Sequence, residues 1–493
     1  MKKLYRFSAI ALLVLPLVFT SCSDYLDRDD DDNITEADVF ARYEKVNGLV
    51  SDVYAAAKKA DRPLVFFEHF SNSAITDECE GTNVEGNITN NFNNGAWNPN
   101  SLPGSVGQYW EALYEGIRKA NLIIENVQKY NTPDNPQQDG DLRNRIGEMY
   151  FMRGYFHMLL LRMYGEAPYI DRVINAGDNM DFKKESVHSM VEKIVTDAQT
   201  AYGMVPNKYV KTSENFGRVD KGACLGLISF VRWVAATPLW NGASQYGYNL
   251  RRVFENEYAY DATRWRKAKE AAKAVLDFEV GGTKRYSLYT KHDANDFKDP
   301  ADGNLNDSRV YARLWDMFYD MDAFANEYVF FMTKSKDQAW QGDIYPPSRE
   351  GSSRQQPVQE QVDEYEYIVG DYGYPVYSAE ARKGGYDDTN PYVKGTRDPR
   401  FYRDVIYHGA PYRNNKNESK TINTASGSDK IGATNATTTG YYLRKFQQES
   451  WNKSGNFSIN APAIWRLPEF IYIYAEACNE LGEDIDEAYK LVN

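Results

Sequence analysis

Two polar stretches combine aromatic rings with hydrogen-bonding groups in a way that could do chemistry. "SAITDECEGTNVEGNITNNFNNGAWNPNS" carries Asp77, Glu78 and Trp97, and "DQAWQGDIYPPSREGSSR" carries Trp340, Tyr345 and Arg349. A flat ring flanked by carboxylates, amides and hydroxyls can stack on the C–H face of a sugar while its neighbours bind the hydroxyls. A guanidinium such as Arg349 could add a preference for acidic sugars. Trp97 packing beneath its own loop is an equally good reading, because buried aromatics close loops. For Trp340 the surrounding Gln, Gly and Asp favour exposure.

Catalytic and metal signatures are weaker. The five histidines, His69, His157, His188, His292 and His408, are scattered, and none has the spacing that puts two zinc ligands on one helix face. "GASQYG" lacks the final glycine of a nucleophile elbow. No phosphate-cradling Gly-Lys-Ser/Thr loop occurs. "DANDFKDPADGNLND", Asp293 to Asp307, is rich in oxygen ligands, but an EF-hand register would put Lys298 and Pro300 at ligand positions, so it reads as a solvated acidic loop. No metal or cofactor is expected. A glycoside hydrolase would need two carboxyls held about 5 to 9 Å apart across the scissile bond. With 70 acidic residues, no segment singles out such a pair.

The elements that must position these loops are mainly helical. Apolar residues recur at steps of three and four from Thr35 to Lys59, Gln108 to Tyr130 and Asp141 to Pro168. The same holds for Ser186 to Val205, Lys221 to Trp240 and Thr263 to Phe278. The short "NTPDNPQQDG" turn predicts that the second and third segments pack antiparallel, with Gly154 allowing close approach of a neighbour and Gly165 with Pro168 ending the run. Trp110, Leu113, Ala120, Gly482 and Ala488 partly match the tetratricopeptide pattern at irregular spacing. Residues 63–103 form a long loop, and residues 285–460 turn to Gly, Asn, Asp, Pro and Tyr, which predicts short strands and loops on a helical scaffold.

The amino terminus reads as an export signal. Lys2, Lys3 and Arg6 precede an apolar run from Ala9 to Phe19 that is too short to span a bilayer, then Thr20, Ser21 and Cys22. A plain secretory signal fits, and so does a lipoprotein signal that leaves Cys22 acylated as the first mature residue, with Phe19 where leucine is usual. The acids from Asp24 to Asp32 repel one another and predict an extended tether. Removing residues 1–21 takes away three cations and no acid, so the net charge of −13 becomes −16, which disfavours nucleic acid as a partner. Cys79, Cys224 and Cys478 are too far apart for a metal knuckle and read as buried small residues. The 38 Tyr, 23 Phe and 9 Trp exceed what helix packing alone would use, leaving rings for a binding face.

Several ordered blocks together resemble the SusD/RagB family of surface nutrient-binding lipoproteins of Bacteroidetes. They are "CSDYLD", "YWEALYEGIRKANLIIENV", "GEMYFMRGYFHMLLLRMYGEAPYI", "GRVDKGACLGLISFVRWVAA", "RWRKAKEAAKAVL", "RDPRFYRDVIYHG", "GYYLRKF" and "IWRLPEFIYIYAEACNELG". The resemblance implies a mainly α fold of tetratricopeptide-like helical hairpins, an α/α superhelix, with a large loop-rich segment carrying the ligand site. It divides the chain into a lipoprotein signal peptide at 1–21, an acidic tether at 22–38, a helical region at 39–284, a ligand-facing segment at 285–460 and returning helices at 461–493. It implies non-enzymatic capture of oligosaccharides outside the cell, anchorage to the outer membrane through Cys22, and delivery to a SusC-like TonB-dependent transporter. The acids after Cys22 resemble the signal that sends such lipoproteins outward, "TDEC" resembles a segment leading into a ligand-contacting loop, and Trp340, Tyr345 and Arg349 fall in the family's variable ligand-facing region. A helical-repeat adaptor that binds only protein would leave the aromatic loops unexplained. The family continues past its final helix, whereas this sequence stops at Asn493, so Tyr474 and Leu491 are expected to be poorly covered.

Overall fold

The computed structural model describes residues 35–60, 70–81, 88–96, 98, 100, 104–130, 136–209, 215–242, 254–290, 317–318, 321–332, 342–393, 395–413, 419–446 and 463–492. Eight of the described helices form one layer. They are α1 (Tyr43–Ala60), α2 (Gly104–Tyr130), α3 (Pro136–Tyr164), α4 (Val187–Met204), α5 (Lys221–Ala236), α6 (Ala262–Leu276), α7 (Leu467–Leu481) and α8 (Ile485–Val492). Each packs on the next in order, and α7 also returns onto α5 across the whole loop-rich segment. These are the helical hairpins expected from the apolar periodicity, stacked in the superhelix that the family resemblance implies.

Local chemistry fixes the helix ends. Thr35 and Asp38 form a capping box for a short helix at Glu36–Phe40, so ordered structure begins inside the segment read as tether. Ser186, Asp220 and Asp261 accept the orphan N–H groups at the starts of α4, α5 and α6. The helix read from Asp141 starts earlier, at Pro136, a residue whose missing N–H and fixed φ suit a first turn.

The antiparallel run of α2 against α3 is visible in its contacts. The Tyr164 hydroxyl donates to the Val106 carbonyl, and the Asn121 Oδ1 accepts from Arg153 Nη1 at 2.9 Å. Close approach here depends on Gly116, where a Cβ would come within 2.5 Å of the Phe156 ring, and close approach of α3 to α4 depends on Gly147, where one would meet Met204 at 2.6 Å. Gly154, expected to serve that purpose, has only ordinary contacts, the nearest at 3.4 Å. Its side of α3 faces a polar junction with Asp197 rather than a ring.

That junction holds α2, α3 and α4 together. Arg153 Nε donates to Asp197 Oδ2 at 2.8 Å, Arg153 Nη1 donates to the Asp171 carbonyl at 2.8 Å, and the Tyr169 hydroxyl donates to Asp197 at 2.6 Å. A second buried network centres on Glu148, which accepts from Arg145, Tyr54, Tyr209 and Arg218. His157 is fully buried: its Nδ1 bonds the Arg153 carbonyl and its Nε2 accepts the Ile170 N–H, while burial pushes its pKa down to about 3. The "GEMYFMRGYFH" block is therefore a structural knot.

The loop-rich half contributes short strands. Strands β1 (Ile75–Thr76) and β2 (Cys79–Gly81) form a three-stranded sheet with β4 (Gln355–Pro357), whose register pairs Glu80 with Gln356. Strand β3 (Tyr328–Phe331) pairs antiparallel with β7 (Ala463–Arg466), and β5 (Val405–Ile406) pairs with β6 (Tyr442–Leu443). Trp465 on β7 packs on Phe330, Tyr155 and Phe230, which fastens this half to the helical layer. A second core gathers Tyr345, Val362, Phe401, Tyr402, Val405, Ile406, Tyr407, Tyr441 and Tyr442, so much of the aromatic surplus fills an interior that two-residue strands could not fill with aliphatic side chains.

At the carboxyl end, Gly482 takes φ +66° and turns the chain from α7 into α8. Tyr474, expected to be poorly covered, is 1% exposed, because α8 folds against α7 and Glu487 accepts its hydroxyl at 2.8 Å. Leu491 is half-buried. Among the described residues no helix is long and apolar enough to cross a membrane.

Candidate functional site

A cleft of about 630 Å³ opens between the two halves of the sequence. One wall comes from the chain before α2, where Ser71, Ser73, Glu78 and Cys79 lie beside Gln355 and Pro357. This junction is stitched by the Ser71 N–H, which donates to Gln355 Oε1 at 2.8 Å, and by the Val358 N–H, which donates to the Glu78 carbonyl. The opposite wall comes from the "RDPRFYRD" and "YYLRKF" stretches, joined through the β5–β6 pair, and from "IWRLPEF", carried by β7 in its separate pair with β3.

The cleft is polar and mixed in charge. Arg400, Arg403, Lys445 and Arg466 line it together with Glu78, Asp404 and Glu469. Asp404 is fully engaged: Arg403 Nη2 donates to it at 2.7 Å and the Tyr365 hydroxyl at 2.9 Å. Its carbonyl accepts the N–H groups of Arg444 and Lys445, which fixes where the Lys445 side chain emerges. Arg400 is clamped by Asp398, with Nη2 to Oδ2 at 2.6 Å, and Arg466 Nε donates to Glu327 at 2.8 Å.

Phe318 forms an aromatic floor. The Arg403 guanidinium lies 5.3 Å from its centroid, the Arg466 guanidinium 5.7 Å, and the Phe446 ring meets it edge-on at 4.5 Å. Burial lowers the pKa of Lys445. Burial also raises the pKa of Glu469 to about 7, with Arg162 and Arg466 opposing. Among the described residues no group of three His, Cys, Asp or Glu is placed to hold a metal ion.

The residues singled out from sequence are distributed differently. Asp77 and Glu78 are exposed on the turn between β1 and β2, and Glu78 reaches the cleft. Tyr345 and Arg349, expected on a ligand-facing loop, are 2% and 7% exposed, because the chain turns inward there to close the second core. Cys22, Trp97 and Trp340 lie outside the described residues, as does the acidic loop from Asp293 to Asp307. The cationic wall was not read as a site from sequence, although Arg and Lys alternate with rings in "RDPRFYRD" and "YYLRKF".

Helical hairpins topped by a loop-rich face with a polar cleft define a scaffolded binding protein. Comparison with known families gives the same class: residues 24–231 match a SusD-like family described as starch-binding and associating with the outer membrane, and residues 315–493 match the SusD family proper. The chain belongs to the SusD/RagB family, a carbohydrate-binding family of the outer membrane. Among curated proteins it is similar to SusD-like protein P2 of Formosa agariphila, 24% identical over 202 residues, which are 40% of this chain and 38% of that one. The match thus spans about two-fifths of that relative. Its fold matches a SusD-like protein from Bacteroides fragilis NCTC 9343 with a TM-score of 0.70 at 19% identity, over 93% of this chain and 79% of that one. A laminarin-binding SusD-like protein matches with a TM-score of 0.53 at 16% identity, over 91% and 83% of the two chains.

Proposed function

We propose that this protein is a glycan receptor, anchored to the outer membrane through an acylated Cys22, that captures oligosaccharides on its loop-rich face and passes them to a SusC-like TonB-dependent transporter. The observation that carries the proposal is the cleft, assembled from distant stretches of the chain on a packed helical layer. Family membership supports carbohydrate as the ligand class, and a laminarin-binding relative of the same fold supports a saccharide in particular. The export signal and the acids after Cys22 support the anchored, outward-facing location.

In this proposal Asp77, Glu78, Trp97 and Trp340 belong to the capturing face, with the two tryptophans stacking on sugar rings and the carboxylates binding hydroxyls. Binding proceeds without bond cleavage. Among the described residues, Glu469, with a pKa near 7, is a feature a glycoside hydrolase would share as a general acid. Asp404 is a poor partner for it, because Arg403 and Tyr365 already occupy its oxygens.

Affinity electrophoresis of the mature chain lacking its acyl anchor, against plant, host and microbial polysaccharides with reducing ends assayed in parallel, tests the proposal. Retardation by a glycan without new reducing ends is expected. Release of reducing ends would overturn it in favour of a hydrolase, and no retardation by any glycan would overturn capture itself.

A further inference from the structure

The cleft lining is rich in cations for so acidic a molecule. In a chain with 70 acidic and 57 basic residues, its lining presents four cations against three carboxyls, one of which titrates near neutrality. Three of the cations are arginines held by Asp398, Asp404 and Glu327. Of these acids only Asp404 lines the cleft, and Asp398 and Glu327 stand behind their arginines. Lys445 differs: among the described residues its ammonium makes no ion pair, and it lies 5.3 Å from the Phe446 ring. A half-buried ammonium that, among the described residues, faces a ring but no counter-ion has lost part of its hydration without gaining an opposite charge, which favours an anion from outside. The floor agrees, since the two guanidiniums over Phe318 give it positive character and occupy the ring that a neutral sugar would stack on.

We infer that the cleft takes the anionic group of an acidic saccharide, a carboxylate or a sulfate, with the Lys445 ammonium as its ion-pair partner and Arg400, 56% exposed at the side chain, at the rim. The inference rests on the glycan-capture reading and narrows it from saccharides in general to charged ones. The molecule's overall negative charge would repel long polyanions, so a short acidic oligosaccharide fits better than a dense polymer.

Titration calorimetry at low salt with two matched pairs tests this: trigalacturonate against its carboxyl-reduced counterpart, and a carrageenan oligosaccharide against its desulfated form. At least one acidic member is expected to bind about tenfold or more tighter than its neutral partner, with the gap shrinking at high salt. Whichever pair shows the gap distinguishes carboxylate from sulfate. Lys445→Gln should abolish the preference and Lys445→Arg should retain it. Equal affinity for charged and neutral members, or an unchanged preference in Lys445→Gln, would overturn the inference. So would an equal loss in both variants, which would assign Lys445 a structural role. If no charged probe binds while a neutral polysaccharide is retarded in electrophoresis, the inference falls and glycan capture stands. If nothing binds in either assay, both fall.

Discussion

The knot in the helical layer pairs its buried charges with one another, whereas the loop-rich cleft, beside its paired arginines, leaves two buried groups without a counter-charge among the described residues. Between α2, α3 and α4, Arg153 and Asp197 saturate each other, with Asn121, Tyr169 and a backbone carbonyl taking the remaining valences. Around the cleft, Lys445 and Glu469 stay without ion-pair partners among the described residues, and both have pKa values displaced towards the neutral form. Saturated networks hold elements in register and leave nothing for a ligand. Unsaturated ones persist by shifting towards the neutral form and can be completed by a partner from solution. The contrast separates scaffold from site without reference to relatives.

The sharpest way to break the contrast is at the saturated knot. Asp197→Ala strands the Arg153 guanidinium and should destabilise the fold by about 3–5 kcal/mol, read as a shift in denaturant midpoint. The same substitution should leave saccharide affinity of the remaining folded protein unchanged. Next in size, Gly116→Ala forces a methyl into the Phe156 ring and should cost about 1–3 kcal/mol. Gly154→Ala, with room for the methyl, should be neutral or stabilise by up to about 1 kcal/mol through helix propensity.

Glu469 supplies a pH test from the unsaturated side. Its folded pKa of about 7 lies above the reference value of 4.5, so the folded state binds its proton more tightly than the unfolded state. That contribution is complete below pH 4.5 and is lost as pH rises through 7. Glu469→Gln should therefore match the parent at acid pH and exceed it at pH about 8 by at most on the order of 3 kcal/mol. Equal pH dependence of the two melting curves would contradict the assignment. The smallest effect on stability is expected at Glu78, exposed on its turn, where Glu78→Ala should move the melting temperature little while weakening saccharide binding.

The helical half was largely legible in the sequence because its signals are local. Recurrence every three to four residues, Ser186 and Asp220 as caps and Gly482 as a stop each act within a few positions. The cleft was not, because its walls meet across pairings such as Ser71 with Gln355, 284 residues apart, which no local pattern encodes. Tyr345 and Arg349 illustrate the limit. "YPPSREGSS" has the composition of an exposed loop, yet Glu350 and Ser353 take positive φ, and a Cβ on Gly351 would come within 2.0 Å of the Tyr345 carbonyl oxygen. That tight turn folds both residues inward. Glu78 was legible as polar and exposed, but not the cationic wall it faces.

Hydrogen exchange measured with and without a saccharide that retards the protein tests the central claim most directly. The account predicts slowed exchange in residues 71–81, 355–365, 400–405 and 443–446, with α3 and α4 unchanged. Protection confined to the helical layer, with none around the cleft, would contradict it.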